Sequence, residues 1–156
     1  MPSGEAIREL FFPDYSQHDA YVSIRAILSR ATKQIEIVDP YIDQSILTVL
    51  STFIEPGMSV RILTSKLPAD FILEAGKWLI QYAGVHLEAR TTKTFHDRFI
   101  VLDSDGCWHV GCSLKDAGNK AFMISELEDE NNRTALLAQV ATSWNGATVV
   151  MVGKGP

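Results

Sequence analysis

The sequence predicts an α/β fold, a mixed β-sheet flanked by helices on both faces. Three observations predict it. Residues 34–90 alternate short β-branched runs with longer segments whose apolar residues recur at helical spacing, the pattern of strands joined by helix crossovers. From Phe95 onward two strands are separated by only a short turn, so part of the sheet is antiparallel. Hydrophobic residues make up 46% of the 156 residues and charged residues 21%, the balance of a soluble chain that buries one core. Residues 1–156 are therefore read as a single domain, with its core at about 16–152.

The elements follow in order. Ser16-x-x-Asp19 resembles a helix start, and Tyr21, Ile24, Leu28 and Ala31 follow at helical spacing. Gln34–Asp39 is a β-run closed by Pro40. Asp43 is placed to cap a second helix with Ile46, Leu47, Leu50 and Ile54 on one face, stopped by Pro56-Gly57. Ser59–Thr64 reads as a strand, residues 69–83 as a helix ending at Gly84, and Val85–Arg90 as a strand. Phe95–Asp103 and Cys107–Gly111 form a hairpin across Ser104-Asp105-Gly106. Lys120–Ser125 is a further strand, Asn131 or Asn132 starts the last helix, and Thr148–Val152 is a final strand before a tail expected to fray.

Composition narrows the function. The net charge of −5 argues against a general nucleic-acid coat. The middle third differs: residues 85–120 carry Arg90, Lys93, Arg98, Lys115 and Lys120 against five acids, room for a local anion site. No apolar run reaches the roughly 18 residues of a membrane span, and the N-terminus lacks a secretory pattern, so a cytoplasmic setting is expected. Cys107 and Cys112 stand too far apart along one strand for a disulfide and read as core residues. No CxxC, HExxH, P-loop or Gly-x-Ser-x-Gly pattern occurs. No metal and no cofactor is implied.

The informative run is Phe95-His-Asp-Arg-Phe-Ile-Val-Leu-Asp103. If it is one strand, alternation puts His96, Arg98, Ile100 and Leu102 on one face. His96 and Arg98 then stand roughly 7 Å apart and both approach one tetrahedral phosphate. Imidazole attacks phosphorus, and guanidinium holds non-bridging oxygens through paired hydrogen bonds. Asp103 falls on the other face, so it is expected to anchor backbone or a neighbouring element rather than the imidazole.

His96-x-Arg98-x4-Asp103 resembles the HxKx4D motif of the phospholipase D superfamily, with arginine in place of lysine. The likeness extends to Gly111-Cys-Ser-Leu114 and Glu126 downstream, and to the strand end Ile37-Val-Asp-Pro-Tyr41 upstream. The resemblance implies a metal-independent phosphodiesterase in which two such motifs meet at one site. One histidine becomes phosphohistidine while the other protonates the leaving oxygen and then activates water. This chain has one motif, and its length is similar to that of small bacterial single-motif nucleases, so the resemblance implies a homodimer with nucleic acid as substrate. His96, Arg98 and Glu126 would be catalytic, Glu126 orienting the imidazole. Asp103, Ser113, Lys115 and Asp116 would bind phosphate or support the site. Two departures matter: Leu114 stands where the family has asparagine, and Cys112 where it has serine. They favour a second expectation, a domain that binds an anionic phospholipid, a nucleic acid or a protein without catalysis.

Overall fold

The computed structural model describes residues 9–155. Its strands are β1 (Glu9–Phe12), β2 (Gln34–Val38), β3 (Ser59–Thr64), β4 (His86–Thr91), β5 (Arg98–Leu102), β6 (Gly106–Val110), β7 (Phe122–Glu126) and β8 (Thr148–Lys154). Its helices are α1 (Gln17–Leu28), α2 (Ser45–Ser51), α3 (Ala69–Gln81) and α4 (Glu130–Gly146), with a 3-10 turn at Leu114–Asp116. The strands form one mixed sheet in the order β1-β7-β6-β5-β2-β3-β4-β8. The neighbours β2, β3 and β4 run parallel and the other pairings are antiparallel. This is the predicted mixed α/β sheet.

Strand alternation divides the core. Ile35 and Ile37 of β2, Ile62 of β3 and Ile100 of β5 pack with Ile27, Leu50 and Phe71 of α1, α2 and α3. On the other face Val38, Leu63, Val101 and Cys107 pack with Leu136, Val140 and Trp144 of α4. Arg61 and Arg90 lie on the Trp144 ring at 4.9 and 4.3 Å from its centroid, so α4 is held by cation–π contact as well as apolar burial.

Several local expectations are corrected. Ser16 precedes α1, but its hydroxyl donates back to the Pro13 carbonyl (2.7 Å) instead of capping the helix. Asp129, not Asn131 or Asn132, caps α4 by accepting the Asn132 N–H at 2.9 Å. The second helix stops at Ser51, short of Ile54. The strand β1 is additional to the expected elements; it exists because it pairs with β7 from Glu9↔Ser125 to Phe12↔Phe122. The tail is not frayed as far as Gly155. β8 continues to Lys154 opposite His86, and the Gly155 N–H donates to the Val85 carbonyl at 2.8 Å.

The β5–β6 turn makes Asp103 a clamp. Asp103 and Ser104 have φ of 53° and 56°, the left-handed pair that suits a tight hairpin. The Asp103 carboxylate accepts the N–H groups of Thr32, Lys33 and Gln34, at 3.0, 2.8 and 2.9 Å, and so fixes the entry to β2. Desolvation raises its pKa, but the N–H donors of Gln34, Thr32 and Lys33 and the Thr32 hydroxyl outweigh it and leave it lowered. A folded-state pKa depressed in this way contributes stability that is present above the unfolded value and lost as pH falls through the folded one. Asp103→Ala is expected to cost about 2 kcal/mol at pH 7, from the lost bonds and from alanine at positive φ. Urea titrations at falling pH should show the difference shrinking below the carboxylate range; a pH-independent difference would refute the clamp.

Gly118 fixes the loop after the 3-10 turn against the start of α1. Its φ is +90°, and a Cβ there would lie 2.6 Å from the Gln17 Cα, while its carbonyl accepts the Ser16 N–H at 2.9 Å. Gly118→Ala is expected to destabilise by more than about 2 kcal/mol, from positive φ and backbone overlap together. A thermal melt unchanged from the parent protein would contradict this placement.

Candidate functional site

The parallel strands β2, β3 and β4 end on one side of the sheet, where sites in such folds form. Asp39, Ser65 and Thr92 follow those ends, and the antiparallel register brings the start of β5 and the end of β6 beside them. The centre of this end is Asp39, which is fully buried. Its Oδ1 accepts the Tyr41 N–H (3.0 Å), its Oδ2 the Leu114 N–H (2.7 Å), and the Ser113 hydroxyl donates within 3.0 Å of both oxygens. A carboxylate that accepts only is here matched to donors alone. The loops after β2 and β6 are thereby tied together.

His96 lies on this end but not on the strand. The expectation of one strand from Phe95 to Asp103 is corrected: β5 begins at Arg98. The physical reason is the loss of both neighbours. β2 gives way to Asp39-Pro40, β6 last pairs with β5 at Arg98↔Val110, and the Gly111 N–H turns to the Met123 carbonyl of β7. Asp97 sets the bend. Its Oδ1 accepts the Arg98 N–H (2.9 Å), and its Oδ2 meets the His109 Nε2 at 2.7 Å. His96 is consequently exposed, at the rim of a depression shared with Lys93, Phe95, Pro40, Tyr41 and Ser65.

Arg98 opens β5 on the α1–α3 face, in the row Arg98↔Val110↔Ile124. Its Nε is buried and has no hydrogen-bond partner among the described residues. Its charge is felt at Cys112, whose thiol is pushed up to about 11: burial raises it most, Arg98 opposes, and Asp39 and Asp116 add to the rise. A thiol so placed is protonated at neutral pH and is a poor nucleophile. The Cys107 thiol is likewise pushed up to about 11, chiefly by burial, and both cysteines are free.

The remaining residues divide by position. Ser113 is buried and its hydroxyl is committed to Asp39 and, at 3.3 Å, the Tyr41 carbonyl. Lys115 and Asp116 stand on the 3-10 turn with Nζ and Oδ2 3.8 Å apart, and Lys115 faces the open depression beyond Tyr41. Asp103 lies at the far end of β5. Glu126 is opposite Trp108, in the row Ile100↔Trp108↔Glu126. That row is two residues down the sheet from Arg98 and two strands across, roughly 12 Å between Cα atoms from strand geometry. Its Oε1 is buried without a hydrogen-bond partner among the described residues, and the Trp108 side chain shares its row. The structure therefore brings His96, Arg98 and Lys93 to one end of the sheet and leaves Glu126 apart from them. Of the lining residues, the sequence marks Lys93 as a cation of the middle third and Tyr41 as a strand end, whereas Ser65 went unnoticed. The available signal was its position just after a strand end.

The sequence matches no family model, and no curated protein is significantly similar to it. Solved structures are similar in fold. TrmBL2, an archaeal chromatin protein with a novel mode of DNA binding, superposes with a TM-score of 0.60 at 17% identity over 96% of this chain, which spans 57% of that protein. NucT from Helicobacter pylori gives 0.61 at 12% identity, covering 92% of this chain and 99% of the other. Nuc from Salmonella typhimurium, a phospholipase D family member, gives 0.57 at 17% identity, again over 92% and 99%. At such identities the likeness is one of fold. The architecture, strand order and these neighbours together establish that the chain has a phospholipase D-like fold.

Proposed function

We propose that this protein is a metal-independent phosphodiesterase of the phospholipase D type that cleaves nucleic acid as a homodimer. The observation that carries the reading is the end of the sheet where His96 stands exposed in a depression beside Lys93 and the nearby Arg98 keeps a buried Nε without a partner among the described residues. The nuclease names of two structural neighbours, and the DNA binding of a third, support nucleic acid as substrate.

The chemistry needs two histidines. His96 of one copy attacks phosphorus through a ring nitrogen as the bond to the leaving oxygen breaks. His96 of a second copy gives that oxygen its proton. The second imidazole then takes a proton from water, the water oxygen attacks phosphorus, and the P–N bond breaks to free the first imidazole. Arg98 holds the non-bridging oxygens as their charge shifts. A twofold axis near His96 places the two imidazoles on opposite sides of phosphorus.

Sedimentation velocity together with cleavage of labelled DNA and RNA in EDTA tests this reading. A dimer with chelator-resistant cleavage supports it, and a monomer that cleaves nothing overturns it. A second reading is favoured by Ser113 and Glu126. Ser113 is committed to Asp39, and Glu126 makes no hydrogen bond to His96 among the described residues, its Oε1 being buried without a partner there. In that reading the domain binds a phosphate-bearing nucleic acid or anionic phospholipid without cleaving it, and Arg98→Ala weakens binding more than His96→Ala.

A further inference from the structure

A separate cavity of about 340 Å3 lies between α1, α2 and the 3-10 turn, away from His96. This is within the size range of small-ligand sites, roughly 300 to 1,000 Å3. Its walls are apolar, with Ile24 from α1, Ile46 and Val49 from α2 and Leu114 from the turn. Its mouth is polar. Gln17 Nε2 donates to Asn119 Oδ1 at 3.1 Å, leaving the Gln17 carbonyl oxygen and the Asn119 amino group without partners among the described residues.

The cavity adjoins the His96 end through shared wall residues. It shares Ile42 and Lys115 with an open depression of about 800 Å3. That depression in turn shares Pro40, Tyr41 and Ser65 with the hollow at His96. The three hollows lie in a row, a trough passing Tyr41, which is 60% exposed. Each part of the trough carries a lysine: Lys93 beside His96, Lys66 in the middle, and Lys115 at the junction with the cavity. Of the acids here, Asp43 is engaged by the N–H and hydroxyl of Ser45, and Asp116 faces Lys115.

We propose that this cavity seats an unstacked base of a single-stranded nucleic acid whose backbone follows the trough. A lipid carries its charge at one end, whereas cations spread along the whole trough match a repeating phosphate. An acyl chain has no use for the paired amides at the mouth, but a base edge does. The exposed Tyr41 ring between them supplies a stacking surface. A duplex keeps its bases stacked inward and cannot fill the cavity. The path of the backbone to His96 rests on the phosphodiesterase reading; the occupancy of the cavity does not.

Fluorescence anisotropy with labelled 12-mers tests the proposal on the wild-type protein. The probes are a single strand, its duplex, and a strand of the same length built only from abasic sugar-phosphate units. The intact single strand is expected to bind about tenfold or more tighter than either other probe, the equivalent of one stacked base. Val49→Trp, which fills the cavity, should bring intact and abasic strands close together, with circular dichroism confirming the fold. Equal affinity for intact and abasic strands overturns the proposal. Preferential binding of phosphatidylglycerol vesicles that Val49→Trp abolishes overturns it in favour of an acyl chain. Hydrolysis of bis(p-nitrophenyl) phosphate by the wild type reports on the His96 chemistry alone. Its absence beside base-dependent binding would refute the phosphodiesterase reading and leave this one standing.

Discussion

His96→Ala is expected to reduce chelator-resistant cleavage by more than about a thousandfold while leaving the dimer and the melting temperature unchanged. The fold-change follows from losing the nucleophile in one copy and the proton donor in the other. The unchanged stability follows from exposure: His96 is solvent-exposed in the bend ahead of β5. Mixing the variant with wild type sharpens the test. If both imidazoles act at one site, any dimer with a single variant subunit is impaired, and activity falls as the square of the wild-type fraction. A linear fall would mean that each subunit works alone. Full cleavage by His96→Ala would refute His96 as the nucleophile, whereas no cleavage by either protein would leave the binding-only reading, in which Arg98 matters more.

Asp39→Ala is expected to cost about 3 kcal/mol, because it strands the buried Ser113 hydroxyl and the half-buried N–H groups of Tyr41 and Leu114 together. Asp39→Asn should be nearly as damaging despite its equal size. Oδ1 faces the Tyr41 N–H and Oδ2 faces the Leu114 N–H, so either orientation of the amide sets an NH2 group against a backbone N–H. Ser113→Ala should be milder, about 1 kcal/mol, since the carboxylate keeps both backbone donors. Urea denaturation orders the three variants. Asp39→Asn within about 0.5 kcal/mol of wild type, the scatter of an ordinary surface change, would show that these bonds are not holding the loops. Because the same bonds fix Leu114 in the cavity wall, binding in the trough should fall with stability.

How much of this was legible follows from the range of the forces involved. The alternation of strands and helices from Gln34 to Thr91 depends on side-chain periodicity within each segment, and β2, β3 and β4 lie within a residue of the predicted runs. The Asp103 carboxylate anchors neighbouring backbone as expected, but it does so from a left-handed turn residue beyond β5 rather than through strand parity. The motif His96-x-Arg98 was legible as residue types, but its geometry was not. Whether His96 sits on β5 depends on whether β2 and β6 are still there to pair with it, and both end first.

The same distinction explains Glu126, Ser113 and β1. The sequence alone determined a mixed α/β sheet with an imidazole and a guanidinium two residues apart, since both follow from the local order of the chain. Only the tertiary structure decided that Glu126 lies across β6 from β5, that Ser113 belongs to Asp39, and that a row of adjoining hollows lies from His96 to a cavity between α1 and α2. Those facts rest on cross-strand register and loop contacts between residues tens of positions apart, and no local pattern encodes which distant group will supply the partner.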